Sequence, residues 1–229
     1  MLCALLAGMV TAAAAQAPAP AASGAGTGVH YVYLIRHGIY DRDTTATDDR
    51  VANGLNALGH EQAKLVGERL AALPLTFDHL VSSELLRAVQ TSDDMGVAMK
   101  MKPSRDAMLN ECTPTSSNAR IMASEKPHEV AECDSARMVA WDRWFKPTPA
   151  RDTYDVLVCH GNIIRWTLMK TVGADTRNWL NMDCGNGSLT IVAVRPDGSA
   201  RLVMYSDVGH LPVPKQTWSG RGGGWVKAR

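Results

Sequence analysis

Two apolar runs far apart in the chain finish in the same way. Tyr31-Val32-Tyr33-Leu34-Ile35 ends in Arg36-His37-Gly38, and Val156-Leu157-Val158-Cys159 ends in His160-Gly161. Between them, short apolar runs alternate with stretches whose apolar residues recur at helical spacing. That alternation predicts an α/β chain with a mostly parallel central sheet. Residues 31–36 read as the first strand. From Asn53 to Leu73, apolar residues at Leu55, Leu58, Leu65, Val66, Leu70 and Leu73 mark a helix that Pro74 ends. A strand follows over Phe77 to Val81, closing in Ser82-Ser83, then a helix over Glu84 to Met99 and a weaker strand over Ser104 to Leu109. Residues 112–150 are the least regular, with an amphipathic helix from Glu129 to Phe145 that carries Trp141 and Trp144. Tyr154 to Cys159 is the most strand-like run, and a helix over Ile163 to Val172 comes after it. The stretch GSLTIVAVRPDGSARLVMYSD alternates like a β-hairpin turned at Arg195-Pro196-Asp197-Gly198.

A parallel sheet brings the C-terminal ends of its strands to one edge, where loops and helix N-termini converge on ligands. The two strand-terminal histidines, His37 and His160, can therefore face a single site. The glycine behind each lets backbone approach a ligand closely. A third strand ends at that edge in Ser82-Ser83 and opens a helix with Arg87 in its first turn, which makes an anion site. Arg36, His37, Arg87 and His160 then form a cationic pocket, and phosphate is the ligand that suits it. The formal net charge is only +1. The counter-charge for such an anion must be local, and bulk attraction to nucleic acid or an anionic membrane is not expected.

At 229 residues the chain suits one domain. Residues 1–17 read as a signal peptide, a short apolar stretch closed by Ala15-Gln16-Ala17, although no Lys or Arg precedes it. That stretch is too short to span a bilayer as a helix. Residues 18–29 read as a flexible linker, 30–215 as the domain with 112–150 as an insert over the active site, and 216–229 as a frayed tail. Export to the periplasm or the medium follows from the leader. His and Cys spacing matches no zinc pattern, so neither metal nor cofactor is expected. Cys159 reads as a small buried hydrophobe, while Cys112 and Cys133 flank a polar segment and could be bridged in an oxidising compartment.

The order L-I-R-H-G (34–38), L-x-x-x-G-x-x-Q-A (55–63), S-S-E-L-L-R-A (82–88) and V-C-H-G-N-I-I-R (158–165) resembles the histidine phosphatase, or phosphoglycerate mutase-like, superfamily, from about Tyr31 to Pro214. GNGSLTIVAVRPDG followed by SDVGHLP is similar to its branch of mitochondrial serine/threonine protein phosphatases and their bacterial relatives. The resemblance implies a three-layer α/β/α fold and a metal-independent phosphomonoester hydrolase. His37 would be the nucleophile, forming a phosphohistidine from a neutral ring near histidine's ordinary titration range. Arg36, Arg87 and His160 would hold the equatorial oxygens. The resemblance also places a general acid at Glu111, where Asn110 and Cys112 depart from the relatives' L-R-E-G. Asp106 is the reserve acid and Glu84 a weaker one.

Other residues carry modest expectations. Tyr40 and Asp41 lie on the pocket rim or stabilise its loop, Asn162 caps the helix after Gly161, Arg165 pins a loop, and His210 is structural. The substrate would be a phosphoprotein or a small phosphoester. Phosphoglycerate mutase-type transfer is the alternative, but it needs extra cations at the entrance. In 112–150, Arg120, Lys126, Arg137, Arg143 and Lys146 are offset by nearby acids. A non-catalytic phosphate-binding module is the remaining reading, and it would have lost the nucleophile or the acid.

Overall fold

The computed structural model describes residues 26–148 and 150–218. The expected leader 1–17, the linker as far as residue 25 and the tail from residue 219 lie outside the described residues. In chain order the elements are β1 (His30–Arg36), α1 (Ala57–Ala71), β2 (His79–Ser82), α2 (Leu86–Met99), β3 (Ser104–Arg105), α3 (Ala119–Met122), α4 (Pro127–Trp144), β4 (Thr153–Cys159), α5 (Gly161–Thr171), β5 (Leu189–Val194) and β6 (Ala200–Asp207). One six-stranded sheet runs in the order β3-β2-β4-β1-β5-β6. The pairs β2–β3, β2–β4 and β1–β4 are parallel, while β5 runs antiparallel to both β1 and β6. This is the mostly parallel sheet with a C-terminal hairpin that the alternation predicts. Gly198, at φ +82°, supplies the left-handed residue that the hairpin turn requires.

Strand periodicity sorts the core onto the two faces of the sheet. Val32, Leu34, Leu157 and Cys159 point to one side, where they meet Ile163 and Ile164 of α5, with Trp141 and Trp144 of α4 packed against them. Tyr33, Ile35, Val156 and Val158 point to the other side and meet Val66 and Leu70 of α1 and Ala88 and Met95 of α2. The result is three layers, α/β/α. Both faces of β1 and β4 are covered, which is why these strands read as continuous apolar runs rather than alternating ones.

Register settles the relation between the two histidines. Arg36 pairs with Cys159 across the β1–β4 ladder, and Ser82 pairs with Val158 across β2–β4. His37 and His160 therefore leave adjacent strands at the same level, and Ser83 leaves the third strand one residue earlier.

Several boundaries differ from the sequence reading. Helix α1 starts at Ala57, because the side chain of Asn56 accepts from Gly59 N at 3.0 Å and caps it. The strand expected over Ser104 to Leu109 stops at Arg105. Asp106 then caps a 3-10 turn, Ala107–Leu109, by accepting from Met108 N at 3.0 Å. The N-cap position of α5 is His160, not Asn162, and makes no side-chain cap. The stretch expected to fray from residue 216 is held at its start: Asn186 N donates to Thr217 O at 2.9 Å, and Trp218 bridges to Gly185.

The L-x-x-x-G-x-x-Q-A segment acquires a physical reason in α1. A Cβ on Gly59 would lie 2.0 Å from Ile39 O, so only glycine lets the helix approach the segment behind His37. Gln62, fully buried, accepts from Ile39 N at 2.9 Å and donates to Lys215 O at 2.7 Å.

Candidate active site

A cavity of about 550 Å³ opens at the C-terminal edge of the sheet, with Arg36, His37, Tyr40, Arg87, Glu111 and Arg165 among its walls. His37 is 2% exposed, Arg36 7% and Arg87 4%, so these three form the floor of the cavity and not its rim, while His160, at 0%, lies behind them and is not among the walls. The rings of His37 and His160 stand 5.0 Å apart between centroids. All four residues expected from the strand ends are brought together.

The proton on His37 can be placed from its partner. Nδ1 lies 2.7 Å from Gly38 O, and a carbonyl only accepts, so Nδ1 carries the hydrogen. In the neutral ring the lone pair is then on Nε2. Burial, then the charges of Arg36 and Arg87, hold the imidazole well below its ordinary titration range, against the weaker pull of the Gly38 carbonyl. The ring is thus held neutral, with a lone pair on Nε2. This corrects the expectation of ordinary titration, because the sequence shows no burial and no distance to the arginines.

His160 is oriented by a short chain of hydrogen bonds. Its Nε2 lies 2.8 Å from Ser83 Oγ. Ser83 Oγ donates to Asn110 Oδ1 at 3.0 Å, and Asn110 Oδ1 also accepts from Glu84 N at 2.8 Å. The one hydroxyl proton of Ser83 is spent on Asn110, so His160 Nε2 must be the donor to Ser83. Asn110, a departure from the relatives' arginine, thereby serves the second histidine. Its role was invisible in sequence, since it depends on β2 and the Asn110 turn lying side by side. Burial, then His37 and Arg87, push the His160 imidazole well below its usual range.

Glu111 stands over this floor with Oε1 shut from solvent and without a hydrogen-bond partner among the described residues. Burial raises its carboxyl above the ordinary range, more strongly than Arg36, Arg87, Arg165 and Arg137 lower it. Such a carboxyl can hold a proton to donate. The next residue, Cys112, is disulfide-bonded to Cys133 of α4, and Asn162 Nδ2 donates to Cys112 O at 3.0 Å. The acid's loop is therefore tied to both α4 and α5.

The reserve acids are engaged elsewhere. Asp106 Oδ2 accepts from Arg143 at 2.8 Å and from Trp144 Nε1 at 2.9 Å, which pins α4 to the body. Burial would raise its carboxyl, but these bonds and that from Met108 N lower it, so it keeps no proton to give. Glu84 is not among the cavity walls. Asn162 Oδ1 accepts from Arg165 at 2.7 Å, and Arg165 also donates to Gly161 O and Met182 O, so Arg165 braces the wall it forms. Asp41 accepts from Asn56 at 3.0 Å and stabilises the rim loop, while the Tyr40 ring lies 5.5 Å from His37. His210 is bonded to Gly187 O and Arg69, a structural position. Cys159 is fully buried, and burial pushes its thiol up. Asp49, which sequence reading passed over, accepts from Arg87 Nη1 at 2.6 Å.

Two buried arginines and a neutral nucleophilic histidine under a protonatable carboxyl define an enzyme that moves phosphoryl groups through histidine. The chain belongs to the histidine phosphatase superfamily, branch 1, whose family model matches residues 32–151. The mitochondrial serine/threonine-protein phosphatase PGAM5 of Xenopus tropicalis is 33% identical over 190 residues, covering 81% of this chain and 67% of that protein. The corresponding protein of Homo sapiens is 34% identical over 196 residues, 82% of this chain and 66% of that one. The chain thus spans about two thirds of these relatives. Its fold is similar to the crystal structure of a Plasmodium falciparum phosphoglycerate mutase, with a TM-score of 0.57 at 22% identity over 81% of this chain and 96% of that one. The enzyme is a histidine phosphatase-type hydrolase of phosphoesters.

Proposed function

We propose that this chain hydrolyses phosphomonoesters in two steps, with His37 as nucleophile, Glu111 as acid and base, and phosphoserine or phosphothreonine of proteins as substrate. The observation that carries the reading is the Nδ1–Gly38 O hydrogen bond at 2.7 Å, which leaves the Nε2 lone pair for phosphorus. In the first step Nε2 forms a bond to phosphorus, the ester P–O bond breaks, and Glu111 gives its proton to the departing oxygen. In the second step the Glu111 carboxylate takes a proton from water, whose oxygen bonds to phosphorus as the P–N bond breaks. Phosphate leaves and the ring recovers its lone pair. Arg36 and Arg87 hold the oxygens over which charge is spread, and His160, whose Nε2 proton goes to Ser83, joins them once Nδ1 takes up a proton beside the bound anion.

The insert argues for hydrolysis over mutase transfer. Arg137 is buried and donates to Met108 O, Arg143 pairs with Asp106, and Lys126 pairs with Glu129. Of the insert's side chains, Thr113 and Glu125 line the cavity, and none of its cations does. A second phosphate would find no cradle there. The protein substrate rests on the relatives, which are named serine/threonine-protein phosphatases. Export rests on the leader's composition and on the Cys112–Cys133 disulfide, which suits an oxidising compartment.

Steady-state kinetics on a panel of phosphopeptides and phosphometabolites, with a chelator present, tests the reading. Turnover of phosphopeptides with an acid-labile phosphoenzyme on His37 is expected. Transfer to a second phosphoester without release of phosphate would establish the mutase reading instead. N-terminal sequencing of protein from the source cell should begin after Ala17, and a cytosolic chain beginning at Met1 would refute export.

A further inference from the structure

Arg87 is held on three sides. It is the second residue of α2, and Leu86 N, at the start of that helix, donates to Asp49 O at 2.8 Å. Its guanidinium lies over the Tyr40 ring, with Cζ 4.8 Å from the centroid. Its Nη1 donates to Asp49 Oδ2 at 2.6 Å. Nε is shut from solvent and has no partner among the described residues. The plane is thus fixed by Tyr40 and one end by Asp49, and the residue lines the cavity.

Asp49 is itself secured. Its Oδ1 accepts from Asn53 Nδ2 at 2.7 Å, and Asn53 Oδ1 accepts from Asp43 N at 2.6 Å. Asn53 reaches this position at φ +56°, in the left-handed region that asparagine tolerates better than most residues. Asp49 also lines the cavity. A carboxylate beside a phosphate site repels the ligand, so its presence there needs a compensating role.

We infer that Asp49 is a positioning residue. It holds Nη1 of Arg87 so that the remaining edge of the guanidinium meets the phosphoryl oxygens, and it touches no substrate atom itself. A guanidinium is a planar fork, and its grip on two oxygens depends on its angle as much as on its charge. The inference rests on the hydrolase reading above, but only through Arg87. It also predicts that Asp49 and Arg87 act as one unit.

The test is a double-mutant cycle, with Asp49→Ala, Asp49→Asn, Arg87→Ala and the Asp49→Ala/Arg87→Ala pair. The readouts are kcat and KM on an aryl phosphate, vanadate binding by calorimetry, and melting temperature. Asp49→Ala should lower kcat by roughly 10- to 100-fold, the worth of a hydrogen bond between charged groups. Vanadate should bind more weakly and melting should be little changed. Asp49→Asn keeps an acceptor for Nη1 and should recover most of the loss. In the Arg87→Ala background, removing Asp49 should cost nothing further. Tighter vanadate binding by Asp49→Ala with kcat retained would overturn the inference and make Asp49 a competing anion. Additive losses in the double variant would overturn it too. Trapping the phosphoenzyme in the wild type tests the hydrolase reading separately, since vanadate binding can be compared even if no phosphohistidine forms.

Discussion

His37 and His160 meet with ring centroids 5.0 Å apart and planes tilted by 56°, delivered by adjacent parallel strands paired residue for residue. His37 has its Nδ1 proton committed to Gly38 O, and His160 has its Nε2 proton committed to Ser83. Each is neutral because both are buried among arginines.

The first consequence concerns pH. A protonated His37 cannot attack phosphorus, so activity is lost only as pH falls through its folded pKa. That value lies well below histidine's ordinary range, because burial, then Arg36 and Arg87, disfavour the cation. At saturating substrate kcat should therefore show no loss centred near pH 6.5. An acid limb there, abolished with turnover in His37→Ala, would mean that the ring titrates as it does in water.

Glu111 sets the opposite limb. Its carboxyl is raised by burial, and under the proposed mechanism the protonated form serves the leaving oxygen, so activity on alkyl phosphates should fall as pH rises through that pKa. Glu111→Gln should slow phosphoserine hydrolysis by roughly 10²- to 10⁴-fold. Nitrophenyl phosphate, whose leaving group departs without a proton, should be affected far less. Equal losses on the two substrates would make Glu111 a structural carboxyl.

Arg87→Lys keeps the charge and loses the fork. With Nη1 bound to Asp49, an ammonium cannot reach both Asp49 and two phosphoryl oxygens. Charge on the phosphoryl group shifts most in the transition state, so kcat should fall along with kcat/KM. Wild-type kcat with unchanged vanadate inhibition would remove Arg87 from the pocket.

The Cys112–Cys133 disulfide closes a loop between residues 21 positions apart and begins next to the acid. Cys133→Ser should lower unfolding free energy by about 3 kcal/mol, as measured by urea denaturation. Since Glu111 rides on the tethered loop, the variant should also lose more activity on phosphoserine than on nitrophenyl phosphate. A parallel loss on both would show that the bridge serves stability alone.

Much of this protein was legible before any coordinate. The apolar runs fixed the strands because β1 and β4 are covered on both faces. Their shared ending in His-Gly placed His37 and His160 at one edge, since parallel strands point the same way. The Ser82-Ser83 ending and Arg87 followed by the same logic, and the match to the phosphatase pattern at Leu109-Asn110-Glu111 supplied the acid.

Tertiary structure decided what depends on neighbours distant in the chain. The sequence put Glu111 first and kept Asp106 in reserve only through a resemblance; Arg143 and Trp144, brought over by α4, occupy Asp106. It could not show that Asn110 orients His160 through Ser83, or that Asp49 holds Arg87 from a separate loop. Nor could it give the protonation of either histidine. Local pattern specifies which face a residue takes and where a strand ends. Burial, charge neighbours and hydrogen-bond partners arise only when segments far apart in sequence pack together, and those set the chemistry.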